Sequence, residues 1–432
     1  MFNITPAMKS NPYAAWRIRD FRLYATSWFL LVFAKQVETV AVGINVYYRT
    51  GDPLSLGWIG LVQALPIILL AVAGGQLADR FNRRHVILCT YSLSVVSAAG
   101  LLVAAFLHGP VWWMYVFLGL GAIGYALGGA SRASILPQIV STEIFSNAIT
   151  WHTSIFHIAA MTGPAAGGFI VGWENTAVAA FACVMVLRVL SLVGVSFIRN
   201  RPQSQPMETI SLENVLAGLR FVWRTKLILA TITLDLFAVL LGGFTYLLPV
   251  FVRDILQVSE SWVGYLRATE AVGAVFVAML IAHAPPMKRA GAAMLWAVTG
   301  FGAATIVFGF SKWYLLSMLM MFFIGALDNI SVVVRHTMVQ MLTPDAMRGR
   351  VSAVNNIFIV ASNDIGGVES SVMAWLFNPV ISVVGGGIGT IFVVIASALT
   401  WPQLLKIGSL QDVHPAAESS PTLPAEEESQ IV

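Results

Sequence analysis

The chain has little charge for its length. Asp, Glu, Lys and Arg make up only 11% of its 432 residues, whereas an average soluble domain carries about 25%. The hydrophobic fraction is 57% and the mean hydropathy is +0.78. So few charges cannot cover the surface of a large fold, which excludes an ordinary soluble protein and a disordered one. Most of the chain is therefore expected to lie in an apolar solvent.

Residues for metal and nucleotide chemistry are also scarce. The two cysteines, Cys89 and Cys183, lie in apolar runs and supply neither a disulfide framework nor a metal-ligand spacing. The seven histidines are scattered, without an H-E-x-x-H motif. There is no G-x-x-x-x-G-K-[ST] loop, and GLGAIG at 119–124 has no strand before it. We therefore expect no metal, no other cofactor and no nucleic-acid partner.

Long apolar runs are what the sequence has in abundance. A spanning helix needs about 20 apolar residues, and twelve such stretches can be recognised. They lie at 21–46, 55–78, 85–107, 111–133, 147–171, 176–198, 227–251, 260–282, 290–311, 313–336, 350–375 and 379–402. Because they are apolar on every side rather than short and alternating, they predict helices and not a β-barrel. The predicted fold is all-α, integral to the membrane, with twelve transmembrane helices.

Lys and Arg are distributed unequally between the two sets of loops. With twelve spans, 19 of the 25, including Arg132 and Arg335, are counted as loop charges on the side of the termini, whereas Arg49, Arg253 and Lys312 lie on the other. The positive-inside rule then predicts that both termini are cytoplasmic. The basic N-terminus lacks the apolar region of a cleaved signal peptide. The expected location is the bacterial inner membrane, with multiple passes.

A polar, proline-containing stretch divides the chain into six plus six segments. Residues 21–198 are predicted to form an N-terminal six-helix bundle and residues 227–402 a C-terminal one. In the cytoplasmic linker 199–226, SLENVLAGLRFVWRTK predicts an amphipathic helix, which lies either on the membrane surface or against the bundle. Residues 1–20 form a cytoplasmic N-terminal segment. Residues 403–432, rich in Glu, Pro and Ser, are expected to be a disordered cytoplasmic tail.

The loop after the second segment carries the most specific motif, GGQLADRFNRR at 74–84. It resembles the G-x-L-a-D-R-x-G-R-[RK] signature of the major facilitator superfamily. Asn82 replaces the usual second glycine, and both residue types tolerate a left-handed backbone. The resemblance implies a latch between the two halves, whereas a plain positively charged loop is the alternative. The candidate gating residues are Gly75, Asp79, Arg80, Arg83 and Arg84.

A second motif, AAMTGPAAGGF at 159–169, lies in the fifth segment. It resembles the G-P-x-x-G-G core found in antiporters and exporters of the same superfamily. Proline removes a backbone hydrogen bond, and glycines let another helix approach closely. The resemblance implies a bend at a gate and favours efflux, and close helix packing is the alternative. The matching residues are Gly163, Pro164, Gly167 and Gly168.

A broader resemblance extends from YYRTGDPLSLGWIGLVQALP near residue 50 to SNDIGGVESSVMAWLFNP near residue 370. These stretches are similar to an exporter branch of the superfamily that handles siderophores and macrolides. The resemblance implies two pseudo-symmetric six-helix halves that rock about a midplane site. Two positions depart from that branch. Glu38 stands where an uncharged polar residue is expected, and Glu270 stands where a proline is expected.

Several charges remain inside the apolar segments, where a charge at the bilayer centre costs at least about 2.5–3.5 kcal/mol. A carboxylate in a partly dry cavity can exchange protons between the two membrane faces, and a structural ion pair is the alternative for each. Lys35 with Glu38, and Arg267 with Glu270, are spaced for i,i+3 pairing, whereas Arg188 is interpreted as structural. The proton-coupling candidates are Glu38, Asp235, Asp328, Glu270, Asp364 and Glu369, with Lys35, Arg267 and Arg335 as charge partners. The resemblance implies that Glu38, Asp235 and Asp328 face the cavity and the others the interface between the halves.

The sequence thus predicts a proton-driven secondary transporter and not an enzyme. The expected activity is export of an amphipathic small molecule, such as a siderophore or a drug. The expected partners are this substrate, protons and membrane lipid, and the chain is expected to be monomeric. Uptake of a metabolite by the same fold is the main alternative. The sequence contains no catalytic constellation that would favour an integral-membrane enzyme. Its tail shows no folded output domain of the kind that a substrate-sensing receptor would need.

Overall fold

The structure, a computed structural model, describes residues 12–174, 176–199, 212–283, 287–344, 347–405 and 407–408, and all regular elements in these ranges are helices. The N-terminal half contains α1 Arg19–Thr50, α2 Leu54–Arg80, α3 Arg83–Phe106, α4 Val111–Ile139, α5 Phe145–Glu174 and α6 Ala177–Ser196. The remaining helices are α7 Leu212–Arg224, α8 Lys226–Gly242, α9 Ser261–His283, α10 Ala290–Phe310, α11 Tyr314–Leu342, α12 Arg348–Leu376 and α13 Pro379–Thr400. After α8 the chain continues through short helical turns to Ile255.

The all-α membrane architecture is confirmed. Among the described residues, eleven helical segments are both long enough and apolar enough to cross a membrane. The other long helix, α12, has 29 residues and carries the polar sequence NDIGGVESS. The count of twelve spans therefore stays a prediction. Predictions for residues 1–11, for linker residues 200–211 and for tail residues 409–432 lie outside the described residues.

The amphipathic helix predicted in the linker is α7, Leu212–Arg224, and it packs on α12 and α8. Val222 is buried on its inner side, whereas Trp223 is exposed. Gly218 lies against the backbone of Arg350 at the start of α12, where an added Cβ would come 2.7 Å from the carbonyl oxygen. Of the two placements left open by its sequence pattern, packing against the bundle is the one observed.

The two halves repeat one pattern of helix pairing. In the N-terminal half α1 packs on α5 and α6, α3 packs on α4 and α6, and α2 packs on α4. In the C-terminal half α8 packs on α12 and α13, α10 packs on α11 and α13, and α9 packs on α11. Each helix of the first half thus corresponds to the helix seven labels later. The halves meet through α2 with α12 and α5 with α9, which correspond to each other under the same rule.

The apolar core joins the halves at only one end of the bundle. We call the end at which α1 begins and α13 ends the terminal face, and the opposite end the distal face. Near the distal face a single cluster combines residues of both halves, such as Val46, Leu56, Phe251 and Val263. Towards the terminal face each half has a separate cluster. The apolar packing between the halves is therefore concentrated at the distal face.

Small residues permit this close contact at the distal face. A Cβ added to Gly168 of α5 would lie 2.2 Å from the backbone nitrogen of Gly264 in α9, and one added to Gly172 would lie 2.3 Å from Ser261. In the corresponding pair, a Cβ on Gly60 of α2 would lie 2.6 Å from a carbonyl oxygen of α12. Backbones this close exclude any larger side chain, as in small-residue helix contacts within membranes. We call these two contacts the glycine seam.

Replacing a glycine of the seam is expected to destabilise the protein. In Gly168→Ala the added methyl group meets backbone atoms that cannot rotate away, so the cost of overpacking is about 1–3 kcal/mol. Thermal unfolding of the purified protein in detergent micelles measures the loss. Gly385→Ala is the matched control, because a Cβ at Gly385 meets no atom within 4 Å. Equal unfolding midpoints for the two variants would contradict the close contact.

Candidate functional site

A buried ion pair links α1 to α6 in the N-terminal half. Arg188 Nη2 lies 2.7 Å from Glu38 Oε1, and the two side chains are only 4% and 3% exposed. The same guanidinium donates hydrogen bonds to the carbonyl oxygen of Ser94 and to Ser97 Oγ, at 2.7 and 3.3 Å. The pair therefore fixes three helices around one arginine. The structural interpretation of Arg188 agrees with this position.

The predicted pairing of Glu38 with Lys35 is wrong. The i,i+3 spacing places both residues on one side of α1, yet the Glu38 carboxylate turns into the bundle towards α6. There the guanidinium supplies the opposite charge that a buried carboxylate requires and donates one hydrogen bond to it. Lys35 instead places Nζ 4.2 Å from the centre of the Tyr125 ring in α4.

A second buried ion pair links α8 to α11 in the C-terminal half. Arg335 Nη1 contacts Asp235 Oδ2, and the side chains are 4% and 9% exposed. Arg335 is thus a charge partner, as predicted, and its partner is Asp235. Its assignment to the positively charged loops is wrong, because α11 continues to Leu342 and keeps residue 335 inside the bundle.

The other predicted carboxylates lie on α9, α11 and α12. Arg267 and Glu270 form the i,i+3 ion pair expected on α9, at 2.9 Å. Asp328 of α11 lies close enough to Glu270 for the two charges to interact. Asp364 of α12 accepts a hydrogen bond from Tyr246 at 3.0 Å. Glu369, also on α12, is partly buried. Apart from the two arginine pairs, the predicted site charges that remain in this half, Asp328, Asp364 and Glu369, are all carboxylates.

A polar cavity lies inside the N-terminal half, enclosed by α1, α2, α3, α4 and α6. Its wall contains Lys35, Glu38, Arg188 and Arg132. Arg132 Nη2 donates to the Tyr125 carbonyl at 2.6 Å, and its guanidinium carbon lies 4.5 Å from the centre of that ring. The prediction that Arg132 lies in a loop is wrong, because α4 extends to Ile139. The apolar stretch ILPQIV after Arg132 is the signal that shows the helix continues.

A polar contact joins the two halves at the distal face. Tyr47 at the end of α1 donates a hydrogen bond to Asp254, which follows α8. The guanidinium of Arg253 lies 5.0 Å from the centre of the Tyr48 ring and donates to the carbonyl oxygens of Tyr47 and Tyr48 at 3.3 Å. The sequence analysis recorded Arg253 only as a loop charge. Nothing in its sequence surroundings points to a partner about 200 residues away.

The 74–84 motif lies where α2 ends and α3 begins. Gly75 and Arg83 are buried, whereas Asp79 and Arg80 are exposed. Arg84 donates to the carbonyl oxygen of Ser196 at the end of α6, in its own half. The latch between halves therefore stays a prediction.

The expectation that Asn82 uses a left-handed backbone is wrong. Its φ is −59°, and its side chain accepts a hydrogen bond from the backbone N–H of Arg84. Asn82 is therefore the N-cap of α3, a position that asparagine favours because its oxygen satisfies an otherwise free N–H group.

The 163–168 motif packs α5 against two neighbours. Pro164 lies within α5. An added Cβ at Gly163 would meet Gln36 of α1 at 2.5 Å, and one at Gly167 would meet the carbonyl oxygen of Val37 at 2.9 Å. Gly168 faces α9 in the glycine seam. This geometry fits the close-packing alternative, and the bend at a gate stays a prediction.

The sequence of the chain is similar to those of known proteins over most of its length. Residues 23–367 match the family described as Major Facilitator Superfamily. The chain is 26% identical over 381 residues to the enterobactin exporter EntS of Escherichia coli O1:K1, covering 86% of this chain and 89% of the relative. The same exporter of Shigella boydii serotype 18 is 25% identical over 379 residues, with the same coverage.

Solved structures share the fold. One is a bacterial homolog of the human lysosomal transporter Spinster, inward-facing and occupied, with a TM-score of 0.69, 15% identity and coverage of 92% of this chain and 98% of the other. Another is a D-xylose–proton symporter, with a TM-score of 0.66, 14% identity and coverage of 87% and 96%. At these identities the likeness shows the fold alone.

Removal of one partner of the α1–α6 ion pair is expected to destabilise the N-terminal half. Arg188→Met leaves the Glu38 carboxylate buried without its cation, at an expected cost of about 3–5 kcal/mol. Thermal unfolding in detergent measures this loss, and the double variant Glu38→Gln with Arg188→Met is expected to recover part of it. Arg220→Met, at an exposed position of α7, is the matched control. If Arg188→Met unfolds at the same temperature as this control, the pair is not structural.

Proposed function

Because the chain belongs to the major facilitator superfamily, a family of membrane transporters, we propose that it exports an amphipathic small molecule in exchange for protons. The proposed substrate is a siderophore or a drug, and the proposed location is the bacterial inner membrane. The similarity to enterobactin exporters over 86% of the chain supports export and a siderophore. The chain is proposed to act as a monomer surrounded by lipid.

One observation carries the proton coupling. Asp328 forms no ion pair or hydrogen bond with any residue that the structure describes, and its charge interacts with that of Glu270 on α9. Two neighbouring carboxylates in a medium of low dielectric constant repel each other, and protonation of one removes the repulsion. Glu38 and Asp235 already form ion pairs with arginines, so a structural role is proposed for both. Asp328 is therefore the leading candidate for the proton site.

The direction of transport follows from the proposed orientation. We assign the terminal face to the cytoplasm, because an excess of Lys and Arg remains there after Arg132 and Arg335 are placed inside the bundle. The halves are joined at the distal face by the shared core and the Tyr47–Asp254 contact. The structure then corresponds to a state that loads substrate from the cytoplasm. Export requires the glycine seam to open while the terminal face closes, with the 74–84 motif as the proposed latch of the closed terminal face.

Proton-driven transport is expected to depend on Asp328. In everted membrane vesicles with an imposed pH gradient, labelled enterobactin is the first substrate to test and labelled erythromycin the second. Asp328→Asn is expected to lower gradient-driven accumulation at least tenfold, because the asparagine cannot bind and release a proton. Exchange of substrate without net proton movement is expected to remain. Asp52→Asn, in the distal loop before α2, is the matched control.

The outcomes separate the alternatives. Wild-type pH dependence in Asp328→Asn rules out this residue as the proton site, and Glu38→Gln in the same assay tests the structural role of Glu38. Accumulation driven by the gradient in right-side-out vesicles, and not in everted ones, indicates uptake and overturns export.

A further inference from the structure

The cavity inside the N-terminal half has an unbalanced charge. Three cations and one carboxylate line it, and the carboxylate of Glu38 is held by Arg188 at 2.7 Å. Lys35 and Arg132 have no carboxylate within ion-pair distance among the described residues. A buried cation without a counterion is costly. The wall therefore presents Arg132 without a carboxylate partner among the described residues, and Lys35 with only the more distant charges of Glu38 and Asp364.

Both cations are held by the same aromatic ring. The Nζ of Lys35 lies 4.2 Å and the guanidinium carbon of Arg132 4.5 Å from the centre of the Tyr125 ring. Arg132 also lies 5.6 Å from the Trp28 ring. Such contacts orient a cation without cancelling its charge. The rings thus orient two positive groups in the wall of the cavity.

A further donor points to the same kind of ligand. Gln63 of α2 lines the cavity, is 4% exposed, and its Nε2 has no hydrogen-bond partner in the part of the chain that the structure describes. Buried donors are nearly always paired, so this amide fits an acceptor atom beside the two cations. Leu31, Leu118 and Ala122 complete the wall with apolar surface. The combination suits a ligand with one anionic end and one apolar body.

The cavity adjoins the other half of the protein. Lys35 lies close enough to Asp364 of α12 for their charges to interact, although Asp364 takes its hydrogen bond from Tyr246. A ligand at Lys35 is therefore next to the contact between halves, where a transported molecule has to bind. Among the site residues described in the opposite half, Asp328, Asp364 and Glu369 are carboxylates outside any ion pair, so an anion is attracted to the cationic wall instead.

We propose that this cavity binds the anionic group of an amphipathic organic anion, and that Lys35 and Arg132 select anions over cations and neutral molecules. The proposal rests on the proposed transport function and names its substrate class. Arg132 supplies the planar donors that match a carboxylate or phenolate, and Lys35 supplies a second charge. Selectivity then arises from charge: the cavity volume of about 20 Å³ admits only the anionic group, and the apolar body of the ligand has to lie outside it.

Three probes with the same ring system test the proposal. Isothermal titration calorimetry of the purified protein in detergent, with empty micelles as the blank, compares 2-naphthoate, 2-naphthylmethylammonium and 2-naphthalenemethanol. The wild type is expected to bind naphthoate at least tenfold more tightly than either of the others. Lys35→Gln and Arg132→Gln are each expected to weaken naphthoate binding about tenfold or more and to leave the alcohol unchanged.

Two further variants keep the test decisive. Arg132→Lys retains the charge and is expected to keep the preference for naphthoate, even if Arg132→Gln fails to fold. Lys312→Gln, exposed at the distal face, is the matched control and is expected to bind like the wild type. Equal affinity for the three probes, no binding of naphthoate, or wild-type binding by Lys35→Gln overturns the proposal. Failure of the vesicle assay with intact anion preference would instead refute the proposed proton-coupled export, so the two failures are distinguishable.

Discussion

A charge inside an apolar bundle has to find its counterion or its donors within the protein, since neither lipid nor a dry core solvates it. The pairs Glu38–Arg188 and Asp235–Arg335 meet this demand, one in each half. In both cases the carboxylate lies on the first helix of its half, α1 or α8, and the arginine comes from a later helix. The same requirement that stabilises each bundle thus separates paired charges from unpaired ones, and the unpaired ones are those proposed above to serve substrate and protons.

The unpaired charges have opposite signs in the two halves. Lys35 and Arg132 remain positive in the N-terminal half, and Asp328 remains negative in the C-terminal half. The main helix pairings are otherwise the same in the two halves. A symmetric scaffold with asymmetric charges allows one half to hold an anion and the other to exchange a proton. The two proposed roles, anion binding in one half and proton exchange in the other, are therefore compatible with the helix arrangement that both halves share.

Local patterns predicted much of this fold, and long-range contacts did not follow from them. Apolar runs of about 20 residues located the helices because burial in lipid demands them, and the i,i+3 spacing of Arg267 and Glu270 gave their pair directly. The partner of Glu38, however, lies 150 residues away, and helical spacing carries no information about it. Arg132 and Arg335 were assigned to loops because an arginine near the end of an apolar run resembles a flanking charge until the helix end is known.

The glycine seam has a consequence for the membrane itself. A continuous file of water molecules through a transporter conducts protons and would dissipate the proton gradient across an energised membrane. Where Gly168 meets Gly264, backbone lies on backbone with no space for a water molecule between them. A seal made of main-chain atoms also has no rotatable side chains, so it does not become leaky by small fluctuations and opens only when whole helices separate. The residues that let the two halves approach thus also keep the membrane electrically insulating.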